Sequence, residues 1–444
     1  MYYLDANASE PLRPEAVAAM RAAFAVTGNP SSVHAAGRAA RRVVEDAREK
    51  IAAHFGARAQ DVVFTSGGTE ADALAVHALG AGRRIMTGAT EHDAIRAAAP
   101  GAAVLPVDGN GVADLDALRA WLASGPEGLV CLMLANNETG TIQPIAEAAA
   151  LCRAYGAWSH VDAVQAAGRL PVDLGMLGCH SLALSAHKLG GPAGVGALLL
   201  APEVSAIAPL IMGGGQERGR RGGTPALPAI AGFGAVCGLV ADQEHLAALR
   251  DRAEAAALRH GAVVCGGGAK RLANTTVLAL PGVRAETQVI ALDMEGIAVS
   301  AGAACSSGKV RRSHVLAAMG LGALAGQAIR VSLPWNVTDE AIAAFEEAYA
   351  RMAGRVKAGA SPPDPTRGFA PGPHQGLALG TAPLGSGDDT RNPMDRGPAA
   401  VPIMRSTPRY DVGGQGVKPS GGLSGRSSDP SSLALVKSPT DSPP

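Results

Sequence analysis

Residues 62–79 read VVFTSGGTEADALAVHAL, an apolar run that gives way to a glycine turn and then to an alanine- and leucine-rich segment. This is a strand, a loop and a helix in succession. Gly67 and Gly68 let the backbone approach an anion, Thr69 adds a hydroxyl, and the helix start offers free N–H groups and the positive end of its dipole. It is not a Walker loop, since no GK[ST] follows. By itself the stretch fits a plain glycine turn capped by Thr69 better than a phosphate cradle.

The pattern recurs, and recurrence gives it weight. LVCLMLA (129–135) runs into NNETG, SHV (159–161) into DAVQ, and SLALS (181–185) into AHKLGGP. Apolar runs at 61–65, 84–87, 128–134, 158–162, 180–184 and 195–200 do not alternate and are mostly separated by alanine-rich, helix-like segments. Strands buried on both faces and spaced by helices imply a mainly parallel α/β sheet. In such a sheet the carboxyl ends of the strands line the ligand crevice, so four polar strand ends should meet at one site. From 35 to 55, Val43, Ala47, Ile51 and Phe55 recur every four residues, with Arg41, Arg42, Glu45, Arg48 and Glu49 on the other faces and Gly56 as the stop. This is an amphipathic helix. After about residue 237 the pattern changes to a helix at 241–258, strand-like pieces near Val263, 275–280 and 297–300, a Gly/Ser-rich loop and a last helix at 339–356, a smaller α+β domain.

Composition bounds the rest. With 39 basic and 39 acidic side chains in 444 residues the formal charge is zero, which argues against an electrostatic footprint for nucleic acid or an anionic membrane. Six cysteines without a CxxC pair make neither a disulfide framework nor a zinc knuckle. A reducing cytoplasm is the expected location, with no signal peptide and no membrane span. Fifteen of the 30 prolines, with 14 glycines, fall in the last 87 residues. That proportion marks a disordered Pro/Gly-rich tail at 358–444, behind a folded part of about 357 residues.

Six residues stand out chemically. Lys188 follows an apolar strand and precedes a glycine-proline turn, so a partly desolvated amine there could form a Schiff base; a solvated loop lysine is the plainer alternative. Ser185 and His187 beside it suit a phosphorylated aldehyde cofactor. Asp162 ends a buried strand and needs a partner, either the pyridinium nitrogen of pyridoxal phosphate or the N-terminus of the following helix. Gln165 is placed to donate to the ring hydroxyl. Cys305 lies among small residues in SAGAACSSG (300–308), where an accessible thiol near Lys309, Arg311 and Arg312 favours the thiolate. The other five cysteines sit in apolar or helical settings. On composition alone Cys305 could be working or idle.

Taken together, GNPSSVH (28–34), FTSGGTEAD (64–72), TEH (90–92), ANNETGTIQP (135–144), HVDAVQ (160–165), SAHKLGGPAGVGAL (185–198), GGGQERGRRGGT (213–224) and SAGAACSSG (300–308) follow the order found in the pyridoxal-phosphate-dependent cysteine desulfurases of the NifS/IscS type. The resemblance runs from residue 2 to about 350. It implies a fold type I transferase with a large domain at 16–237, a small domain at 238–357 carrying the Cys305 loop, and an N-terminal segment, 1–15, contributing to the small domain and the active site. It also implies roles. Lys188 forms the Schiff base and moves protons, Asp162 pairs with the ring nitrogen, Gln165 with the ring oxygen, and His92 stacks on the ring. Gly68, Thr69, Ser185 and His187 hold the phosphate, with Thr224 reaching it from the partner subunit of a homodimer. Asn137 and Arg330 bind the carboxylate of L-cysteine. Cys305 takes the sulfur as a persulfide and releases alanine.

The sulfur would pass to an acceptor or iron–sulfur scaffold protein. The 24 residues between Cys305 and Arg330 resemble the long-loop branch that feeds such scaffolds. No catalytic metal is expected, although Cys305 could touch a nascent iron–sulfur cluster. Ala6 and Ser9 depart from the family pattern, and the basic KVRRS at 309–313 leaves the acceptor open. The alternatives are a selenocysteine lyase or another class V enzyme, and a silent relative that Lys188, Asp162 and Cys305 argue against.

Overall fold

The computed structural model describes residues 1–204, 206–302 and 312–357. A seven-stranded sheet runs in the order Val62–Thr65, Gly196–Leu200, Ser181–Ser185, Trp158–Asp162, Gly128–Cys131, Arg84–Gly88, Ala103–Leu105. All pairings are parallel except the two made by Gly196–Leu200, so the sheet is mainly parallel as the unalternating runs imply. The strands Val62–Thr65, Gly128–Cys131, Ser181–Ser185 and Gly196–Leu200 are buried at every residue, as expected where helices cover both faces of a sheet. The Ala103–Leu105 strand escapes a reading of hydrophobic runs. It is three residues long and edge-placed, with Val104 61% exposed.

The amphipathic helix at Ala35–His54 buries Ala40, Val44, Ala47, Ile51 and Ala52. One expectation fails on it. Arg48 is not on a solvated face: it is 5% exposed and its guanidinium grips Glu217 through Nη1 (2.7 Å) and Nη2 (2.8 Å). Burial of an arginine this deep requires such a partner, and sequence periodicity cannot show it because Glu217 lies 169 positions away.

A second, four-stranded antiparallel sheet orders Ser300–Ala301, Ala328–Ser332, Thr275–Ala279 and Val263–Val264. The helices Gln243–Arg259 and Asp339–Lys357 supply Leu246, Leu249, Phe345 and Tyr349 to an apolar core with Leu278, Ile329 and Val331. The expected single strand at 297–300 is two. Ile297–Ala298 pairs in parallel with Tyr2–Tyr3, and after Val299 the chain joins the four-stranded sheet at Ser300. The fully buried strand Ala328–Ser332 went unread, because Arg330 interrupts its apolar run. The expectations for 303–311, Cys305 included, and for 358–444 lie outside the described residues.

Candidate active site

Because six strands of the large sheet share one direction, their carboxyl ends share one edge. A cavity of about 250 Å³ there is lined by Gly68, Thr69, Asp72, His92, Asn137, Asp162, Gln165, Ser185, His187 and Lys188. The four expected strand ends meet, and a fifth joins them: the Arg84–Gly88 strand delivers TEH.

Each side chain is set by local structure. The helix Gly68–Leu79 starts at the cavity, and glycine is required where it starts: a Cβ on Gly68 would stand 2.6 Å from Val164 Cγ2. Gly196 admits the turn from the other side, since its Cβ would lie 2.5 Å from Leu184 O and 2.6 Å from the Gly67 carbonyl carbon. His92 caps the helix Asp93–Ala98, its Nδ1 accepting from the Ala94 N–H at 3.1 Å. Asp162 ends its strand and accepts one backbone bond, from Val164 N at 2.8 Å. Burial raises its pKa, with the Asp72 carboxyl adding to the rise. No helix follows Asp162 directly: its carboxylate caps a turn and also lines the cavity.

Lys188 follows the Ser181–Ser185 strand in a short 3-10 turn. Its Nζ donates to the carbonyls of Asn7 and, at 3.0 Å, Ala8. Burial, then the charges of Arg330 and Arg169, lower its pKa to about 7, so it is far readier than a surface lysine to give up a proton. His187 is lowered to about 4 by burial and by Lys188, and its Nδ1 meets Ser9 Oγ at 3.3 Å. Gln165 is held by Arg169 Nη1 on Oε1 (2.5 Å), which leaves its Nε2 to donate to Asn7 O at 3.0 Å.

A neighbouring cavity of about 730 Å³ shares Thr69, His92, Asn137, Gln165 and Lys188 and adds Arg330. Arg330 comes from the other sheet. Its Nη1 donates to Asn137 O (3.1 Å), its Nη2 to Asp5 Oδ1 (2.6 Å), and its buried Nε has no partner among the described residues. Thr224 is not brought to either cavity within the chain. It lines a separate one of about 150 Å³ with Phe64, Thr65, Glu217 and Arg221.

The site also holds groups that motif reading missed. Asp72 lies one helical turn after Thr69, a spacing that puts both on one face and was the available signal. Its Oδ1 meets His160 Nε2 at 3.1 Å, and His160 Nδ1 meets Ser181 Oγ at 2.8 Å. Burial raises Asp72 to about 8 and lowers His160 to about 4, each shift toward the uncharged form. The N-terminal run DANASE contributes at nearly every position: Asp5 to Arg330, Asn7 and Ala8 to Lys188, Ser9 to His187, and Glu10 to Arg169 at 3.1 Å. The resemblance implies that residues 1–15 contribute to the active site, but no local pattern shows which of them act or on what, because all these partners are more than 150 residues away. On either side of the undescribed 303–311, a Cβ on Gly302 would overlap Glu138 Oε2, and Ser313 Oγ donates to the same oxygen at 2.6 Å. Among the described residues the five remaining cysteines are buried and free, and burial raises Cys131, Cys152, Cys179, Cys237 and Cys265 above the ordinary thiol.

Comparison with known proteins agrees in sequence and in shape. The profile of the class V aminotransferases matches residues 2–345. An IscS-like cysteine desulfurase of Mycobacterium tuberculosis (strain ATCC 25618 / H37Rv) is 40% identical over 393 residues, covering 81% of this chain and 100% of that protein. A cysteine desulfurase of Cereibacter sphaeroides is 44% identical over 358 residues, covering 76% of this chain and 92% of its own. The X-ray structure of a NifS-like protein from Rickettsia africae ESF-5 superposes with a TM-score of 0.74 at 33% identity, over 80% of this chain and 99% of that one. With the motifs, the sheet order and the cavity all in agreement, the chain belongs to the class V aminotransferase family and, within it, to the cysteine desulfurases.

Proposed function

We propose that the protein takes sulfur from L-cysteine, releases L-alanine, and holds the sulfur on Cys305 for transfer to an acceptor. The reading is carried by one observation: Lys188, Asp162, His92, Gln165, Ser185 and His187 line a single cavity. Its cofactor is pyridoxal 5′-phosphate, and the residues fit it. A helix N-terminus, Thr69, Ser185 and His187 suit a phosphate, and a buried carboxylate with only one hydrogen bond suits a cationic ring nitrogen. When bound, the cofactor supplies an electron sink for bonds at the substrate Cα and Cβ.

The chain's own groups do the rest. Lys188, poised near neutrality, takes and returns protons. Asp162 would hold the ring nitrogen, Gln165 Nε2 would donate to the ring oxygen, and His92 would cover the ring. Arg330, with Asn137, binds the substrate carboxylate. The Cys305 thiolate attacks the substrate sulfur; an S–S bond forms as the Cβ–S bond breaks, and its electron pair goes to the carbon skeleton, which takes up a proton to become alanine. Thr224, remote from the cavity in its own chain, serves the phosphate of a second copy in a homodimer. We read residues 16–237 and 238–357 as two domains, joined at the site by residues 1–15, because each sheet has its own apolar core. A cytoplasmic location and an iron–sulfur scaffold as acceptor complete the proposal. Among the described residues no helix is long and apolar enough to cross a membrane.

The test is direct. Purified protein should carry the yellow absorbance of bound cofactor, which Lys188→Ala changes. With cysteine and a reductant it should yield sulfide and alanine in equal amounts. Cys305→Ala should keep the colour and lose sulfide by at least a hundredfold, as removal of a nucleophile does; sulfide release at the normal rate from that variant would refute the persulfide route.

A further inference from the structure

Arg330 already has an anion. Its guanidinium is 5% exposed, so its charge needs a counter-charge, and the Asp5 carboxylate supplies one at 2.6 Å. Asp5 is held by its backbone, not by its side chain: it bridges to Ser332, two residues along the strand from Arg330, and its carbonyl accepts from Tyr3 Oη at 2.9 Å. The carboxylate itself remains 20% exposed. A carboxylate arriving at this fork finds Nη1 engaged by the Asn137 carbonyl, Nη2 engaged by another carboxylate, and Nε buried.

We propose that Asp5 is the resident counter-ion of Arg330 and competes with the substrate carboxylate for it, so that Asp5 sets the affinity for amino-acid substrate and product. The inference rests on the reading of Arg330 as the carboxylate site. In the free protein Asp5 neutralises a buried cation and so stabilises the fold; in the complex two anions share one guanidinium, which weakens binding. Removal of the Asp5 charge therefore acts with opposite signs on the two states. A merely structural role would move both the same way. The weakening suits an enzyme whose product carries the same carboxylate as its substrate, because tight capture by an unopposed arginine would also slow release.

The experiment uses the full chain loaded with cofactor, titrated with L-alanine and with L-alaninamide while the cofactor absorbance is followed. Asp5→Asn keeps a hydrogen-bond acceptor without the charge. It should melt lower than wild type when free and bind L-alanine about tenfold tighter, the weight of one charge-assisted contact, with L-alaninamide unchanged. Asp5→Glu should restore wild-type behaviour, and Asp5→Ser stands in should the asparagine variant fail to fold. If the charge-free variants bind L-alanine no tighter while Arg330→Gln loses it, Asp5 is a structural residue only and the proposal is overturned. If Arg330→Gln binds L-alanine as wild type does, the carboxylate site lies elsewhere and both readings fall.

Discussion

At the scale of single residues, the pair behind the cavity makes a pH prediction. Asp72 keeps its proton up to about pH 8 in the folded chain against 3.8 for the ordinary group, so the folded state binds the extra proton between those values. Its contribution to stability is therefore lost as pH rises through that window. His160, lowered from 6.5 to about 4, works the other way at lower pH, with stability lost as pH falls from 6.5 towards 4. Above 6.5 only the Asp72 effect of the pair remains. Asp72→Asn keeps the bond to His160 without a titrating proton, so its Tm should fall less than that of wild type between about pH 6.5 and about pH 8. Parallel curves would show that Asp72 is ionised in the folded protein. Lys188, Asp162 and Gln165 were legible in the sequence because each lies at or just past the end of an apolar strand, where a polar residue is conspicuous; His92 followed from the family resemblance alone. Asp5 and Asn7 were not, because a polar residue near a chain start looks like any other until its partner is known.

At the scale of elements, the loop GGGQERGRRGGT holds backbone strain. Glu217 (φ 48) and Arg218 (φ 60) are both left-handed without being glycine, and each such residue costs about 1–2 kcal/mol. The two should respond differently to substitution. Glu217 is held by Arg48 and by the Phe64 N–H at 2.9 Å, with both charged side chains nearly buried. Glu217→Gln leaves Arg48 only the partly exposed Glu45 carboxylate, 3.2 Å from Nε, as counter-charge, so urea unfolding should show a loss, smaller than the about 3–5 kcal/mol of a fully orphaned buried charge. Arg218 is exposed, and Arg218→Gly should relieve the strain and leave stability equal or higher. A loss on Arg218→Gly would mean that its backbone angle is not strained. Elements with one unbroken apolar run were readable in advance. The Ala328–Ser332 strand was not, since its middle residue is an arginine whose burial depends on Asp5, 325 positions away.

At the scale of the whole molecule, truncation and mass are the measurements. A chain ending at residue 357 retains every cavity residue and both described cores, so it should keep at least half of the full chain's desulfurase activity. A larger loss would give residues 358–444 a role in the reaction. If Thr224 serves a second copy as proposed, light scattering should report twice 44.5 kDa for the full chain. The sequence by itself determined the parallel sheet, the edge at which ligand chemistry collects, and the lysine, aspartate and glutamine found there. These follow from local rules, in which hydrophobic runs make strands and the polar residues at their carboxyl ends face the crevice. Only the tertiary structure decided that DANASE threads between the two sheets, that Arg330 arrives already paired, and that Asp72 and His160 are buried against each other. Such facts depend on which distant groups are buried together, and burial sets both charge state and partner in a way that no local pattern records.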